Sequence, residues 1–312
     1  MTARSMGASL VGWFDSWVAA RHIRDDDESI DWLRVVPFLL LHAACLGVVW
    51  VGWSPFAVGL AVALYLVRMF AITAFYHRYF SHRAFKASRP VQFVFALLGA
   101  SAVQRGPLWW AAHHREHHRH ADTPHDTHSP REDGFWWSHV GWFLTSKNFC
   151  TRVERVPDLA RFPELCFLDR FDVLVPLAGL LLAYGLGAAL EAWAPGLGTS
   201  GAQLAVWSVI STVVLFHATF TINSLAHTWG WRAFDTADTS RNNALLALIT
   251  LGEGWHNNHH HYQASARQGF LWWQVDLCWY VLLGLERLGL VRELKPVPAR
   301  ILARARGAGG VP

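Results

Sequence analysis

Charge is scarce in this chain. Only 16% of its 312 residues are Asp, Glu, Lys or Arg, against about 25% in an ordinary soluble domain, while 53% are hydrophobic and 18 are tryptophan. That balance argues against a water-solvated globule and for a chain solvated by lipid. Cysteine is equally sparse: Cys45, Cys150, Cys166 and Cys278 lie far apart with no CxxC pair, which excludes a zinc knuckle and a disulfide framework. A formal net charge of +4 with no clustered basic stripe excludes a nucleic-acid footprint. The segment 1–34 mixes Arg21 and Arg24 with the acidic run Asp25 to Glu28 and has no apolar core, so no cleavable signal peptide is expected.

What is present is a set of long apolar runs. Positions 35–67 carry no charged residue, too long for one helix across a hydrocarbon core of about 30 Å. Pro55 supplies a turn in the middle, so an antiparallel pair of spans is expected at about 35–53 and 55–78, with Arg68 snorkelling toward the near surface. A second pair is expected at about 173–191 and 202–228, split by the glycine-rich stretch 195–201. Lys and Arg fix the orientation: segment 77–172 holds 13 of them and the connectors 53–55 and 191–201 hold none. Both termini and the large middle segment are therefore expected to be cytoplasmic. The stretch 90–104 is too short to span and reads as a re-entrant or interfacial helix, 266–290 reads as a tryptophan-rich surface helix, and 296–312 reads as a loose tail. The expected fold is an all-α integral membrane protein: four transmembrane helices in two hairpins with a helical cytoplasmic cap, a single domain over 35–295 behind a cytoplasmic segment 1–34.

The histidines carry the chemistry. Of 18 in the chain, most fall in four groups on the expected cytoplasmic side. These are His77 with His82, the run His113-His114-Arg115-Glu116-His117-His118, His227 with Asn223 one turn earlier, and His256-Asn257-Asn258-His259-His260-His261. His114, His117 and His118, and likewise His256, His259 and His260, sit at the i, i+3, i+4 spacing that shares one helix face. His77 and His82 are five apart, about 140° around a regular α-helix, so one of them must lie past the helix end or address a different metal. Spacing alone leaves His113 and His114 as alternatives. Imidazoles suit Fe, Zn, Cu and Ni; a single zinc uses three or four ligands, so nine or ten candidates imply two metals. Carboxylates are nearly absent from these runs, apart from Glu116 and Glu253, unlike the glutamate-rich soluble di-iron bundles. His42, alone in an apolar run, reads as a packed residue, His217 as a structural hydrogen-bonding group, and His22, His125, His128 and His139 as loop or supporting residues.

Four stretches in this order resemble the membrane fatty-acyl desaturases, specifically the Δ9 type. They are His77–His82 followed by Arg83-Ala84-Phe85-Lys86, the HxxHH run at 114–118, Asn223-Ser224-Leu225-Ala226-His227, and Gly252-Glu253-Gly254-Trp255-His256-Asn257-Asn258-His259-His260. The likeness covers roughly 35–290. It implies two iron ions held by His77, His82, His114, His117, His118, His227, His256, His259 and His260, with Asn223 holding a metal-bound water, and it selects His114 over His113. His120 and His261 fall outside the pattern. It implies dioxygen as co-substrate, removal of hydrogen from two neighbouring methylenes, and a kinked tunnel lined by Gln104 and Trp110 around a long-chain saturated acyl group carried on CoA or in a lipid ester. No HPGG motif of a fused cytochrome b5 occurs, so a separate electron donor such as a ferredoxin or a reductase is expected, docking on the cationic segment around Arg152, Arg155 and Arg161. The compact chain suggests a bacterial inner membrane.

Two alternatives differ in chemistry or class. A histidine-box alkyl-chain hydroxylase or carotenoid oxygenase would share the metals but add oxygen to its substrate. A metal transporter would place its ligands near the bilayer midplane, whereas these groups cluster at one face.

Overall fold

A computed structural model describes residues 11–20 and 27–307, so His22 lies outside the described residues, as do parts of the segment 1–34 and the last five positions. The described chain is almost wholly helical. Its one sheet is a two-residue antiparallel pairing of Lys86–Ala87 with Val291–Arg292.

Among the described residues three helices are long and apolar enough to cross a membrane: Pro55–Ser81, Leu174–Trp193 and Gly201–Thr228. The first expected span differs. It is a helix over Trp32–Ala44 that carries Pro37, a tight 3-10 turn at Cys45–Gly47 and a last turn at Val48–Val51. The apolar helical part, Val35–Val51, rises about 25 Å at 1.5 Å per residue, the low end of what a crossing takes. At the turn, a Cβ on Gly47 would meet Val206 at 3.1 Å; the glycine lets the two chains approach.

Side-chain caps start both long helices that follow a turn. Ser54 accepts from Ala57 N–H at 3.1 Å and Ser200 accepts from Gln203 N–H at 3.2 Å. Ser54 also donates to Gln203 at 2.8 Å and lies 2.7 Å from the Thr199 hydroxyl, so the two turns are tied together at one end of the bundle. Midway, Ser211 donates to the Ala61 carbonyl at 2.7 Å. Arg68 does not snorkel: it is buried and donates to Thr212 at 2.8 Å, because the hydroxyl of the neighbouring helix offers an acceptor nearer than the surface. Leu181 and Leu182 are 70% and 73% exposed on the Leu174–Trp193 helix, an apolar outer face that water would penalise and lipid would not.

Three expectations outside the spans need correction. The stretch 90–104 is helical only within Arg89–Ala100 and then turns through Val103 and Arg105, both in the left-handed region at φ 60° and 67°. In 266–290 the helix begins only at Leu277, capped by Asp276, which accepts from Trp279 N–H at 3.0 Å. Residues before it wrap a buried arginine: Arg78 donates to Ala266 O at 2.8 Å and to Asp276 at 3.0 Å. The tail is not loose through 307. It forms the helix Ala299–Gly307, whose Ile301 and Ala305, one turn apart, are buried in a cluster with Phe234 and Phe270.

Candidate metal centre

The helix carrying the first histidines changes pitch. Pro55–Phe70 is α-helical, but Ala71–Ser81 is a π-helix, in which each N–H reaches back five residues. His82 N–H accordingly bonds His77 O at 3.2 Å. The wider winding brings residues five apart back toward the same side, and the two rings face the same volume, 4.9 Å apart. His82 is also the residue that ends the helix, so the spacing problem is solved by wider winding together with a position past the helix end, and both rings address one group.

His114, His117 and His118 come from the helix Pro107–His120, His227 from the last turn of Gly201–Thr228, and His256, His259 and His260 from the short helix His256–His261. The glycines around Glu253 fix that last helix against its neighbours. A Cβ on Gly252, at φ 132°, would strike Asp276 and Arg78, and one on Gly254 would lie 2.0 Å from Ala247 N. Asn257 accepts from the N–H groups of Ala233 and Phe234, both at 2.8 Å, and Asn258 donates to Gln268 O and Gln274, both at 2.9 Å. The two asparagines therefore anchor the loops that hold the histidines.

All nine imidazoles selected by the resemblance converge, in two groups. One is His77, His82, His114, His118 and His259; the other is His117, His227, His256 and His260, the ligand atoms within each lying within 4.8 Å of one another. Nε2 atoms meet head-on: His77 and His259 at 3.0 Å, His82 and His114 at 2.8 Å, His118 and His259 at 2.9 Å, His227 and His256 at 3.1 Å. His113 is turned away, 3.4 Å from Cys150 O and packed on Trp109.

Carboxylates stand behind the imidazoles, and the sequence reading missed most of them. His117 Nδ1 donates to Asp126 at 2.9 Å, His227 Nδ1 to Asp122 at 3.0 Å, and His260 Nδ1 to Asp238 at 3.0 Å. His77 Nδ1 contacts Glu253. Because an ionised carboxylate only accepts, these partners put the ring proton on Nδ1 and leave the Nε2 lone pair for a metal. Burial would raise Asp122, but hydrogen bonds from His227, Ser129 and Thr239 outweigh it and hold the carboxyl well below its ordinary range. The same holds for Asp126 through His117 and for Asp238 through His260. Burial first, then the neighbouring histidines, push His114, His118, His256 and His259 well below the ordinary imidazole value. His260 is lowered to about 4 by burial, against the pull of Asp238.

The arrangement fits a pair of metal ions. Within each group four or five ring nitrogens crowd inside 4.8 Å of one another, more than pairwise N–H···N bonds can satisfy since each neutral ring has one proton, and His260 Nε2 is buried with no hydrogen-bond partner in the protein. Asn223 lines a small cavity with His77 and His114 of the first group and His117 and His256 of the second, placing it between the two. Glu116 faces Arg119 and Arg155 at 2.9 and 3.3 Å instead.

The remaining histidines have other duties. His128 stacks on His117 with centroids 4.3 Å apart, and His261 stacks on Phe234 at 4.0 Å. His120 and His125 are 5.7 Å apart at the surface side of the loop. His42 Nε2 meets His217 Nε2 at 3.1 Å, His217 Nδ1 meets His139 Nε2 at 3.1 Å, and His139 Nδ1 meets Ser224 Oγ at 2.9 Å. This chain ties the first apolar helix, the Gly201–Thr228 helix and the segment Phe135–His139 together.

A cavity of about 300 Å³ opens onto the first histidine group. Gln104 and Trp110 both line it, with His114 and Asn223. Gln104 donates to Thr219 at 3.0 Å, and Trp110 stacks on His114 at 4.9 Å, so Trp110 forms part of the cavity wall.

Helices long and apolar enough to cross a membrane, nine converging imidazoles and a mostly apolar cavity define a membrane-compatible helical protein with a histidine cluster able to hold metal. The comparisons narrow the class. Residues 51–286 match the family model described as fatty acid desaturase, and the chain belongs to that family. It is 39% identical over 297 residues to an acyl-CoA 5-desaturase of Anemone leveillei, covering 90% of this chain and 87% of that one. It is 37% identical over 283 residues to an sn-2 palmitoyl-lipid 9-desaturase of Nostoc sp. (strain 36), covering 88% and 94%. A Delta-9 acyl-lipid desaturase 1 of Arabidopsis thaliana is 38% identical over 277 residues, covering 85% and 84%. Other relatives are chloroplastic plant proteins, at odds with a bacterial inner membrane as the expected location.

Proposed function

We propose that this protein is a di-iron, dioxygen-dependent Δ9 desaturase that introduces a cis double bond into a saturated long-chain acyl group, drawing two electrons from a separate donor. The observation that carries this reading is the convergence of nine imidazoles in two groups beside an apolar cavity that ends at His114 and Asn223. His77, His82, His114, His118 and His259 would hold one iron and His117, His227, His256 and His260 the other, with Asn223 holding a metal-bound water. When bound, the iron pair supplies the oxidising power, taken from dioxygen, that an unactivated methylene requires.

The chain's own residues do the rest. Asp122, Asp126, Asp238 and Glu253 fix ring tautomers and orientations, so that the ligands are set before metal arrives. Gln104, bonded to Thr219, and Trp110, stacked on His114, shape the wall against which the reacting carbons lie, and such positioning supplies much of the rate. The buried apolar lining keeps bulk water from the oxidising centre. Position nine rests on the 9-desaturase names among the relatives, which also include 5- and delta-7 desaturases.

The same reading places four spans in the bilayer, the first apolar helix completing the count, with termini and metal centre on the cytoplasmic side. The donor would be a ferredoxin or reductase docking on the face of Arg152, Arg155 and Arg161. Expression in cells followed by mass spectrometry of lipids tests the chemistry. A desaturase removes two hydrogens from a saturated chain and leaves the bond between carbons nine and ten; an added oxygen instead would identify a hydroxylase and overturn the proposal.

A further inference from the structure

Gln104 stands where the long cavity meets the smaller one among the histidines. Its amide donates to the Thr219 hydroxyl at 3.0 Å, and Thr219, Trp110, His114 and Asn223 line both cavities. A shift of this side chain therefore moves the cavity wall beside the metal groups. What sets its place is the backbone on either side of it.

That backbone is strained. Val103 and Arg105 both lie in the left-handed region, at φ 60° and 67°. Glycine adopts that region freely, but a β-branched residue such as valine is a genuine outlier in it. Two such residues flanking one cavity residue persist only where their surroundings over-determine the turn. The turn falls between the helices Arg89–Ala100 and Pro107–His120, so regular helical hydrogen bonding does not hold it.

Arg105 supplies the hold from its side chain. Its guanidinium lies 3.5 Å from the centre of the Phe149 ring, donates to Phe149 O at 2.9 Å and pairs with Asp172 at 3.1 Å. Contacts of three kinds, to residues from two segments, fix a planar group in angle as well as in position. The next residue is held as closely. Gly106 begins the helix Pro107–His120 with no capping side chain of its own. Asp169 takes that part, accepting Trp109 N–H at 2.8 Å, and a Cβ on Gly106 would lie 2.3 Å from Asp169 Cα.

We propose that Arg105 is a positioning residue that determines where the double bond falls. By clamping the strained turn through Phe149 and Asp172, it sets Gln104 against the acyl chain and fixes which neighbouring carbons face the metal groups. A loosened turn lets the chain slide by a methylene, and the product then carries its double bond at neighbouring positions. This rests on the desaturase reading above and adds to it the residue that governs position.

The test is the position of the double bond, which a loss of folding alone would not move. Full-length protein and its variants are expressed in cells, and the unsaturated chains are cleaved at the double bond and sized by mass spectrometry. Arg105→Gly removes the clamp while suiting the φ of 67°. Phe149→Leu removes the ring and keeps the ion pair with Asp172. The unaltered protein is expected to give one principal position. In each variant the ratio of that product to its positional neighbours is expected to fall at least about tenfold, since a misplacement of about 1 Å costs a reaction about 100-fold. Iron per protein, which reports that the histidine helices are intact, is expected to be unchanged. An unchanged ratio in Arg105→Gly, whatever its rate, would overturn the positioning role and leave the desaturase reading standing. If Arg105→Gly makes no product, the ratio in Phe149→Leu decides in the same way. Loss of iron from both variants would equally overturn it, by assigning the clamp to folding. Absence of unsaturated product from the unaltered, iron-loaded protein would overturn both readings.

Discussion

Asp122 Oδ2 lies 3.0 Å from His227 Nδ1 across 105 residues of sequence, and the same oxygen accepts the Thr239 N–H at 2.6 Å and its hydroxyl at 2.7 Å. One carboxylate thus sets the tautomer and angle of an imidazole while fastening the loop that follows its helix. Asp122→Asn keeps the size but removes the charge. Iron affinity is expected to fall about 10- to 100-fold, read as the iron retained per protein after a chelator challenge, with membrane insertion unchanged. Retention equal to the unaltered protein would reduce Asp122 to a loop fastener.

The two metal groups are unequally supported. His117, His227 and His260 each have an aspartate behind them, whereas in the five-histidine group only His77 has a carboxylate among the described residues, Glu253. Substitutions in different groups should therefore be separable. His118→Ala belongs to the first group and His260→Ala to the second. Both are expected to lower desaturation more than about 100-fold, each retaining roughly half the iron, with distinct Mössbauer signals lost. Identical residual spectra from the two variants would contradict the division into two sites.

How much of this was legible beforehand depends on the distance over which each relationship acts. That the rings at 114, 117, 118 and at 256, 259, 260 share a side was readable because helix periodicity is local. The helices Pro55–Ser81, Leu174–Trp193 and Gly201–Thr228 were readable because uncharged runs are. The π-helix over Ala71–Ser81 was not, since no propensity distinguishes five-residue winding from four. Nor were Asp122, Asp126 and Asp238 singled out: their partners lie 105, 9 and 22 positions away, and a lone acid in a loop has no periodic signature. Acids in loops beside histidine runs, in a chain this poor in charge, were the available signal. The loop before Leu277 and the helix Ala299–Gly307 were missed because tertiary contacts, with Arg78 and with Phe234 and Phe270, outweigh local composition.

Arg78 sits between two histidine ligands in sequence, yet points the other way. It is 1% exposed and pairs with Asp276 at 3.0 Å and Glu253 at 3.3 Å. Glu253 in turn contacts His77, so the arginine braces the carboxylate that orients a ligand. Arg78→Met keeps the stem but leaves two buried acids without their cation. A loss of about 3–5 kcal/mol is expected, as for other buried pairs broken on one side, measured as a lower unfolding temperature in detergent. An unchanged temperature would mean that the carboxylates find other partners.

Acid should weaken the metal-free fold, and the direction follows from which groups are shifted. His114, His118, His256 and His259 are held well below the ordinary imidazole value and His260 near 4, burial being the first cause in each. An unfolded chain protonates these rings below about pH 6.5, so between that pH and the folded values the unfolded state binds more protons and stability falls as pH falls. The lowered Asp122, Asp126 and Asp238 act in the same sense below about pH 4, since they too take up protons on unfolding. His117 opposes them: burial lowers it, but Asp126 raises it overall, so it favours the folded state on acidification. These five lowered rings, with His82, His113 and His128 shifted the same way by burial, against one raised ring predict a lower unfolding temperature for chelator-treated protein at pH 5.5 than at pH 7.5. A higher temperature at the acid end would show that the His117–Asp126 ion pair outweighs these buried neutral rings.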